Sequence, residues 1–147
     1  MMVIKTERVI NRDPSVVFDY ISNFENNPVW QGGMIEAAFT SEGPLQEGST
    51  YDQTATFLGK RIITSFVVTR FEPNTCIQIE SVTSTFPIKV TRSVEAAEEG
   101  CLVRAVVEGN PGGLFKLATP LLKKMVHRSV DQDYQNLKNI LEKPVLE

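Results

Sequence analysis

The 147-residue chain is long enough for one domain with its own hydrophobic core, and its 41% apolar and 22% charged residues are ordinary globular values. Its net charge of −3 lacks the basic excess that nucleic-acid binding requires. No segment resembles a signal peptide, and no apolar run approaches the roughly 20 residues of a membrane span. We therefore expect a single cytoplasmic domain over residues 1–147, with no nucleic-acid partner and no stable membrane insertion.

The first part of the chain predicts one strand followed by two short helices. Residues 3–10 mix apolar and polar side chains and contain several strand formers. Asp13 can cap a helix that begins at Pro14, because the missing N–H of proline would have no partner in the first turn. The Asn-Pro pair at 27–28 repeats this signal and predicts a second short helix that carries Trp30.

Turn signals separate six further strands that are rich in β-branched residues. Apolar and polar residues alternate most clearly in the last two strands, which a Glu-Glu-Gly turn joins as a hairpin. Consecutive antiparallel strands of this kind form a meander. The predicted strands cover residues 35–40, 49–57, 61–71, 75–82, 86–94 and 101–108.

Residues 114–141 predict a long helix, because apolar residues recur along it at helical spacing. The helix must bury this stripe against the concave face of the sheet. The element order therefore predicts an α+β fold, in which a curved antiparallel seven-stranded sheet wraps around the C-terminal helix. A strongly bent sheet around a helix cannot always be filled by side chains, and this is the physical basis for expecting a cavity.

Several segments resemble the START-related SRPBCC superfamily, in its polyketide cyclase/dehydrase and lipid-transport branch. This resemblance implies a helix-grip fold with a deep apolar pocket between the sheet and the long helix. Members of the superfamily range from lipid and hormone carriers to aromatic cyclases, and they share no universal catalytic motif. The similar segments are residues 13–21 (DPSVVFDYI), 27–30 (NPVW), 57–62 (FLGKRI), 68–73 (VTRFEP), 98–100 (EEG) and the end of the last helix at 136–138 (NLK).

Candidate ligand-binding residues are apolar or amphipathic side chains that the fold directs toward this pocket. Trp30 and Tyr51 could equally stack on a ligand or fill the core. Arg92 lies in the apolar phase of its strand, where it could clamp a carboxylate, but a strand-end position that reaches solvent is the favoured interpretation. The helix residues Leu121 and Met125 are expected to belong to the core in any case. The predicted set is Trp30, Tyr51, Phe57, Ile79, Phe86, Arg92, Leu114, Ala118, Leu121 and Met125.

Neither a metal nor a cofactor is expected. The only histidine, His127, stands among basic residues, which favours an exposed side chain over a general base. A lone histidine cannot build a histidine-based metal site. Cys76 and Cys101 are expected on strands about 10 Å apart, and a disulfide requires Cα atoms within about 7 Å. Both are therefore expected to be free thiols.

The predicted C-terminal helix carries the one local basic cluster, Lys123, Lys124 and Arg128, beside Asp131 and Asp133. We interpret this cluster as a solvated face. The preceding glycine-rich segment, residues 109–113, lacks the Lys-Ser/Thr ending of a phosphate loop. It is interpreted as a flexible gate between the last strand and the helix.

The leading functional hypothesis is a non-catalytic binding or carrier domain for a small hydrophobic molecule, such as a lipid, a quinone or an aromatic, polyketide-like metabolite. The alternative is an enzyme of the polyketide cyclase/dehydratase type that uses the same pocket. A third interpretation is a groove that receives an apolar segment of a protein partner. The sequence names neither the ligand nor the catalytic residues, and it leaves open whether the chain forms a homodimer.

Overall fold

A computed structural model describes residues 2–83, 87–110 and 119–143. It confirms the predicted architecture, an antiparallel seven-stranded sheet with two short helices after the first strand and a long C-terminal helix. The first turns predicted for that helix, residues 114–118, and most of the predicted gate lie outside the described residues. The elements are β1 (Met2–Ile10), α1 (Pro14–Ser22), α2 (Asn27–Trp30), β2 (Met34–Phe39), β3 (Thr50–Phe57), β4 (Lys60–Glu72), β5 (Cys76–Thr83), β6 (Ile88–Ala97), β7 (Gly100–Gly109) and α3 (Thr119–Leu141).

The strand order in the sheet is β1-β7-β6-β5-β4-β3-β2. Strands β2 to β7 therefore form the predicted meander, and β1 adds to its far edge by pairing with β7, where Ile10 lies opposite Cys101. The turn between β6 and β7 lies close against this edge. Gly100 has φ +122°, and a Cβ there would collide with the backbone of Ile10 and Arg12. Only glycine fits this corner, which explains the Glu-Glu-Gly signal.

The α1–α2 segment closes one end of the concave face. The Asp13 side chain accepts a hydrogen bond from the Ser15 backbone N–H at 2.9 Å, which is the predicted cap. Val17, Phe18 and Ile21 bury one side of α1 in the main core. A 3-10 turn (Phe24–Asn26) then leads directly into α2, which is held close to both β2 and α3.

Helix α3 packs along β1 and closes the concave face from its other side. In its second half, Tyr134, Leu137 and Leu141 are buried in the main core, and each buried side chain of this size contributes about 1.5–3 kcal/mol. In its first half, Leu122 joins Met2 and Ile4 in a second cluster, against which Phe57, Val107, Val126 and Val130 pack. The helix is thus anchored along its described length.

The expectation that Leu121 and Met125 belong to the core is wrong. Leu121 is 64% exposed and Met125 is 44% exposed. The buried stripe of α3 passes through Leu122, Val126 and Val130 instead. Because successive helical residues are about 100° apart, a stripe displaced by one residue leaves the preceding positions on the flank.

Both cysteines are free and buried, on β5 and β7, with β6 between them as predicted. Burial raises the pKa of the Cys76 and Cys101 thiols. Among the helices that the structure describes, none is both long and apolar enough to cross a membrane.

Candidate functional site

Arg92, in the middle of β6, points into the concave face of the sheet and is only 3% exposed. The favoured expectation that it reaches solvent from a strand end is therefore wrong. Its Nη1 donates to the backbone oxygen of Ile21 at 2.8 Å and to the Asn27 side-chain oxygen at 3.3 Å. Ile21 lies in the last turn of α1, where the carbonyl end of the helix dipole favours a positive charge. Acceptors on α1 and α2 thus hold this guanidinium in place.

Aromatic side chains surround the guanidinium. The Arg92 Cζ atom lies 4.9 Å from the centre of the Trp30 ring and 5.5 Å from that of Phe24. Trp30 packs edge-to-face on Tyr134 with 5.0 Å between ring centres, and Phe24 stacks on Tyr51 at 4.3 Å. These contacts are cation–π and aromatic packing geometries, each of which contributes about 0.5–2 kcal/mol. We call Phe24, Trp30, Tyr51, Arg92 and Tyr134 the arginine cluster.

Three donors of this cluster are buried without a hydrogen-bond partner among the described residues. They are Arg92 Nε, Trp30 Nε1 and the Tyr51 hydroxyl; the Gln31 side-chain oxygen is a fourth unpartnered polar atom nearby in sequence. A buried polar group left unsatisfied costs about 1–3 kcal/mol. Native interiors contain few such groups, so four of them in and beside one cluster indicate a site.

Burial keeps both phenols protonated. Desolvation raises the pKa of Tyr51, and the positive charge of Arg92 lowers it by less. The pKa of Tyr134 is raised for the same reason, again against the opposing effect of Arg92. Both hydroxyl groups therefore remain hydrogen-bond donors at neutral pH, and the arginine supplies the positive charge.

Asp133 on α3 is a carboxyl group buried beside the cluster, at 9% exposure. Burial raises its pKa to about 6, although the Gly32 N–H and the charge of Arg92 both act to lower it. Its Oδ1 accepts from the Gly32 N–H at 2.9 Å, and Asn136 donates to the Trp30 backbone oxygen at 3.4 Å. These two bonds tie α3 to the segment that carries Trp30.

An apolar surface leads away from Arg92 along the inner face of the sheet. On β6, Val90 and Ile88 share the face of Arg92 and are half-buried. Val90 is flanked in register by Ile79 on β5 and by Val107 on β7. Two residues of a strand span about 6.6 Å, so the surface reaches roughly 13 Å from Arg92 to Ile88. We call Ile79, Ile88, Val90 and Val107 the apolar track.

The structure brings together part of the predicted site. Trp30, Tyr51 and Arg92 belong to the arginine cluster, and Ile79 belongs to the track. Phe57 lies farther out, against the second apolar cluster. Leu121 and Met125 lie on the exposed flank of α3. Phe86, Leu114 and Ala118 lie outside the described residues.

Sequence reasoning missed Phe24, Tyr134 and Asp133 as site residues. Asp133 was placed on a solvated face with the basic cluster, and this was wrong for Asp133 alone. Lys123, Lys124, Arg128 and His127 are exposed as expected. The signal for Asp133 was its spacing, since it follows Val126 and Val130 and precedes Leu137 at intervals of three or four residues, which places it on the buried face.

Two surface depressions of about 510 and 600 Å³ lie elsewhere on the molecule. The first is lined by residues that include Phe18, Phe39 and Phe71, and the second by residues that include Arg8 and Asp131. Neither contains a residue of the arginine cluster. Within the described ranges, no group of three or more His, Cys, Asp or Glu side chains is arranged to hold a metal ion.

The sheet, its connections and the C-terminal helix define a helix-grip protein of the START type. The chain belongs to the polyketide cyclase/dehydrase and lipid-transport family, whose model matches residues 1–142. No curated protein matches it.

Solved structures share the fold at low identity. TTHA0849 from Thermus thermophilus superposes with a TM-score of 0.81 at 15% identity, covering 95% of this chain and 96% of that one. A START superfamily protein from Mycobacterium smegmatis gives 0.78 at 12% identity, covering 97% and 98%. The di-domain ARO/CYC StfQ of the steffimycin biosynthetic pathway gives 0.74 at 14%, covering 96% of this chain and 52% of that one. These likenesses establish the fold alone.

Proposed function

We propose that the protein binds a small, mainly apolar molecule between the sheet and α3, and that a polar oxygen at one end of this molecule accepts hydrogen bonds from the arginine cluster. The observation that carries the proposal is the buried Arg92 guanidinium, whose Nε has no partner among the described residues. The family, which includes lipid transport in its description, supports an apolar ligand.

The charge of Arg92 argues for an oxygen-bearing ligand. In the described part of the chain it forms no ion pair, and its two hydrogen bonds go to neutral acceptors. Taking a guanidinium out of water is costly unless an anion or strong acceptors compensate for it. A carboxylate, an enolate or a polarised carbonyl would provide that compensation, because Arg binds planar oxygen anions through charge-assisted bonds.

The apolar track accounts for the rest of the ligand. Its side chains are only partly covered at Ile88 and Val107, and they line the inner face of the sheet from the first residue of β6 to Arg92. Covering them with an apolar molecule releases about 25 cal/mol for each Å² removed from water. The track would thus supply affinity, and the arginine cluster would orient the molecule.

Asp133 favours a second candidate function, a cyclase or dehydratase. A carboxyl group with a pKa of about 6 can both give and accept a proton near neutral pH. It lies where the charge of Arg92 affects it, and close enough to the protonated phenol of Tyr134 for its charge to act on that group. In this candidate the arginine would hold a carbonyl oxygen while Asp133 moves a proton.

A matched ligand pair tests the binding proposal. Native mass spectrometry and organic extraction identify molecules that co-purify, and titration calorimetry then compares an aromatic carboxylic acid with the analogue that carries a methyl group in place of the carboxylate. We expect the acid to bind more tightly, and Arg92→Met to weaken acid binding by tenfold or more, about 1.4 kcal/mol, while the analogue is affected less. Arg92→Lys tests the same point with the charge retained, in case the Met variant folds poorly. Arg104→Met, at an exposed arginine of β7, is the control.

Equal affinity for the acid and its analogue in the unchanged protein would contradict the role of Arg92. Turnover of a polyketide-like substrate that Asp133→Asn abolishes without weakening substrate binding would establish the second candidate over the first.

A further inference from the structure

The first half of α3 combines exposed apolar side chains with a concentration of positive charge. Residues 119–130 contain two lysines and one arginine but no acidic residue. Leu121 and Met125 are 64% and 44% exposed and lie one helical turn apart on the same flank. Lys123, Lys124 and Arg128 are exposed beside them. The acidic residue that follows, Asp131, is engaged by Arg8 at 3.0 Å.

The β3–β4 turn has the same character and lies at the same end of the molecule. Leu58 at its tip is 55% exposed, and Lys60 and Arg61 follow it in exposed positions. Phe57, just before the tip, packs against the second apolar cluster, to which Leu122 of α3 belongs. No acidic residue occurs between Asp52 and Glu72. We call Leu58, Lys60, Arg61, Leu121, Lys123, Lys124, Met125 and Arg128 the basic rim.

We propose that the basic rim docks the protein on the surface of an anionic lipid bilayer. Five positive charges and three protruding apolar side chains match an interface that is negative at the headgroups and apolar just below them. The match is local, because the whole chain carries a net charge of −3. Leu and Met side chains that water surrounds in the free protein would be buried among the acyl chains.

Other occupants fit the rim less well. A nucleic acid would neutralise the lysines and arginines but would leave Leu121 and Leu58 in water. A second copy meeting the first through the same patch about a twofold axis would bring like charges together. An anionic bilayer satisfies both the charges and the apolar side chains.

The rim also lies at the outer end of the apolar track. Val107 belongs to the track and packs against the same cluster as Phe57. Docking would therefore direct the outer end of the track toward the bilayer, where an apolar ligand is most concentrated. The suggestion that docking helps the protein take up an apolar ligand rests on the proposed function. The docking itself is tested without any ligand.

Vesicle flotation tests the proposal with the full chain. The probes are phosphatidylcholine vesicles with and without about 30 mol% phosphatidylglycerol. We expect binding to the anionic vesicles only, and weaker binding as salt rises. Each basic residue near such a surface is worth about fivefold in partitioning, so the double variant Lys123→Gln, Lys124→Gln should lose about 25-fold. The double variant Arg70→Gln, Lys143→Gln makes the same charge change at exposed residues near the end of β4 and just after α3, far along these elements from the rim, and should retain binding.

The double variant Leu121→Ser, Met125→Ser separates insertion from charge attraction. Both side chains are exposed, so folding should be unaffected, which thermal melting checks. We expect this variant to bind anionic vesicles several-fold more weakly at equal net charge.

The proposal is overturned if anionic vesicles fail to retain the protein, or if the Arg70→Gln, Lys143→Gln variant loses as much binding as the rim variant. It is also overturned if sedimentation shows a dimer that only the rim variants disrupt, because the rim is then covered by a second copy. In each of these cases, ligand titration in the absence of vesicles still reports on the proposed function independently.

Discussion

Replacing Asp133 by asparagine is expected to stabilise the protein at neutral and alkaline pH. Asp133 is buried, and its pKa is raised from 3.8 to about 6. A carboxyl group whose pKa is higher in the folded state than in the unfolded state opposes folding once it ionises. Its unfavourable contribution is therefore absent well below pH 3.8, grows as the pH rises through this window and is complete above pH 6. The asparagine side-chain oxygen can still accept from the Gly32 N–H, so the contact to the segment after α2 is retained.

The magnitude follows from the pKa difference. A shift of this size corresponds to about 3 kcal/mol when Asp133 is fully ionised, near pH 8. The same linkage relation gives less than about 1 kcal/mol at pH 4, where the carboxyl group is protonated in the folded protein. The stability advantage of Asp133→Asn over the unchanged protein should thus shrink by about 2 kcal/mol between pH 8 and pH 4.

Urea unfolding of both proteins at several pH values between 4 and 8 measures this difference directly. Taking the difference cancels the titration of all other groups. Asp131→Asn is a control of opposite sign on the same helix, because hydrogen bonding from Thr6 and the charge of Arg8 lower the pKa of Asp131. That variant should be the less stable protein at neutral pH and should approach the unchanged protein in acid. An Asp133→Asn advantage that is constant with pH, or that is larger at pH 4 than at pH 8, would refute the reasoning.

Two further predictions concern the ligand site. Trp30, the only tryptophan, is 1% exposed and stacks on Arg92. Its fluorescence should therefore change saturably when an oxygen-bearing ligand binds. A ligand that is shown independently to bind without altering this emission would remove Trp30 from the site. His127 is exposed on α3. In the absence of vesicles, the ligand affinity of His127→Gln should therefore stay within about tenfold of that of the unchanged protein. A larger loss of affinity in calorimetric titration would make His127 a functional group.

Local chemistry was sufficient to predict most of the fold. The Asp13 cap, the Asn-Pro start of α2 and the Glu-Glu-Gly turn each act over a few residues, so the sequence displays them directly. Asn74 shows the same principle, since asparagine tolerates the left-handed region and Asn74 in the Glu-Pro-Asn turn has φ +60°. Pairing of neighbouring strands then follows from short connections.

The arginine cluster was harder to predict because its members meet only in the tertiary structure. Arg92, Trp30 and Tyr51 come from three separate elements, and nothing local shows that α1 and α2 cover the middle of β6. Without that cover, solvent is the reasonable expectation for an arginine on a strand. The face of α3 that points toward the core was also predicted wrongly, for a similar reason. Leu121 and Leu122 are equally apolar, and only packing against Met2 and Ile4 decides which of them is buried.

The pairing of β1 with β7 also has a consequence for how the chain folds during synthesis. Ile10 lies opposite Cys101, so residues 11–99 must be made before the first strand can meet its partner. At about 5–20 residues per second, β1 waits roughly 5–20 s with its backbone hydrogen-bonding groups unpaired. Helix α3, which packs on β1, emerges later still. The ribosome thus releases an exposed β-strand long before its neighbours exist, and we expect chaperone binding to nascent chains to concentrate on this strand.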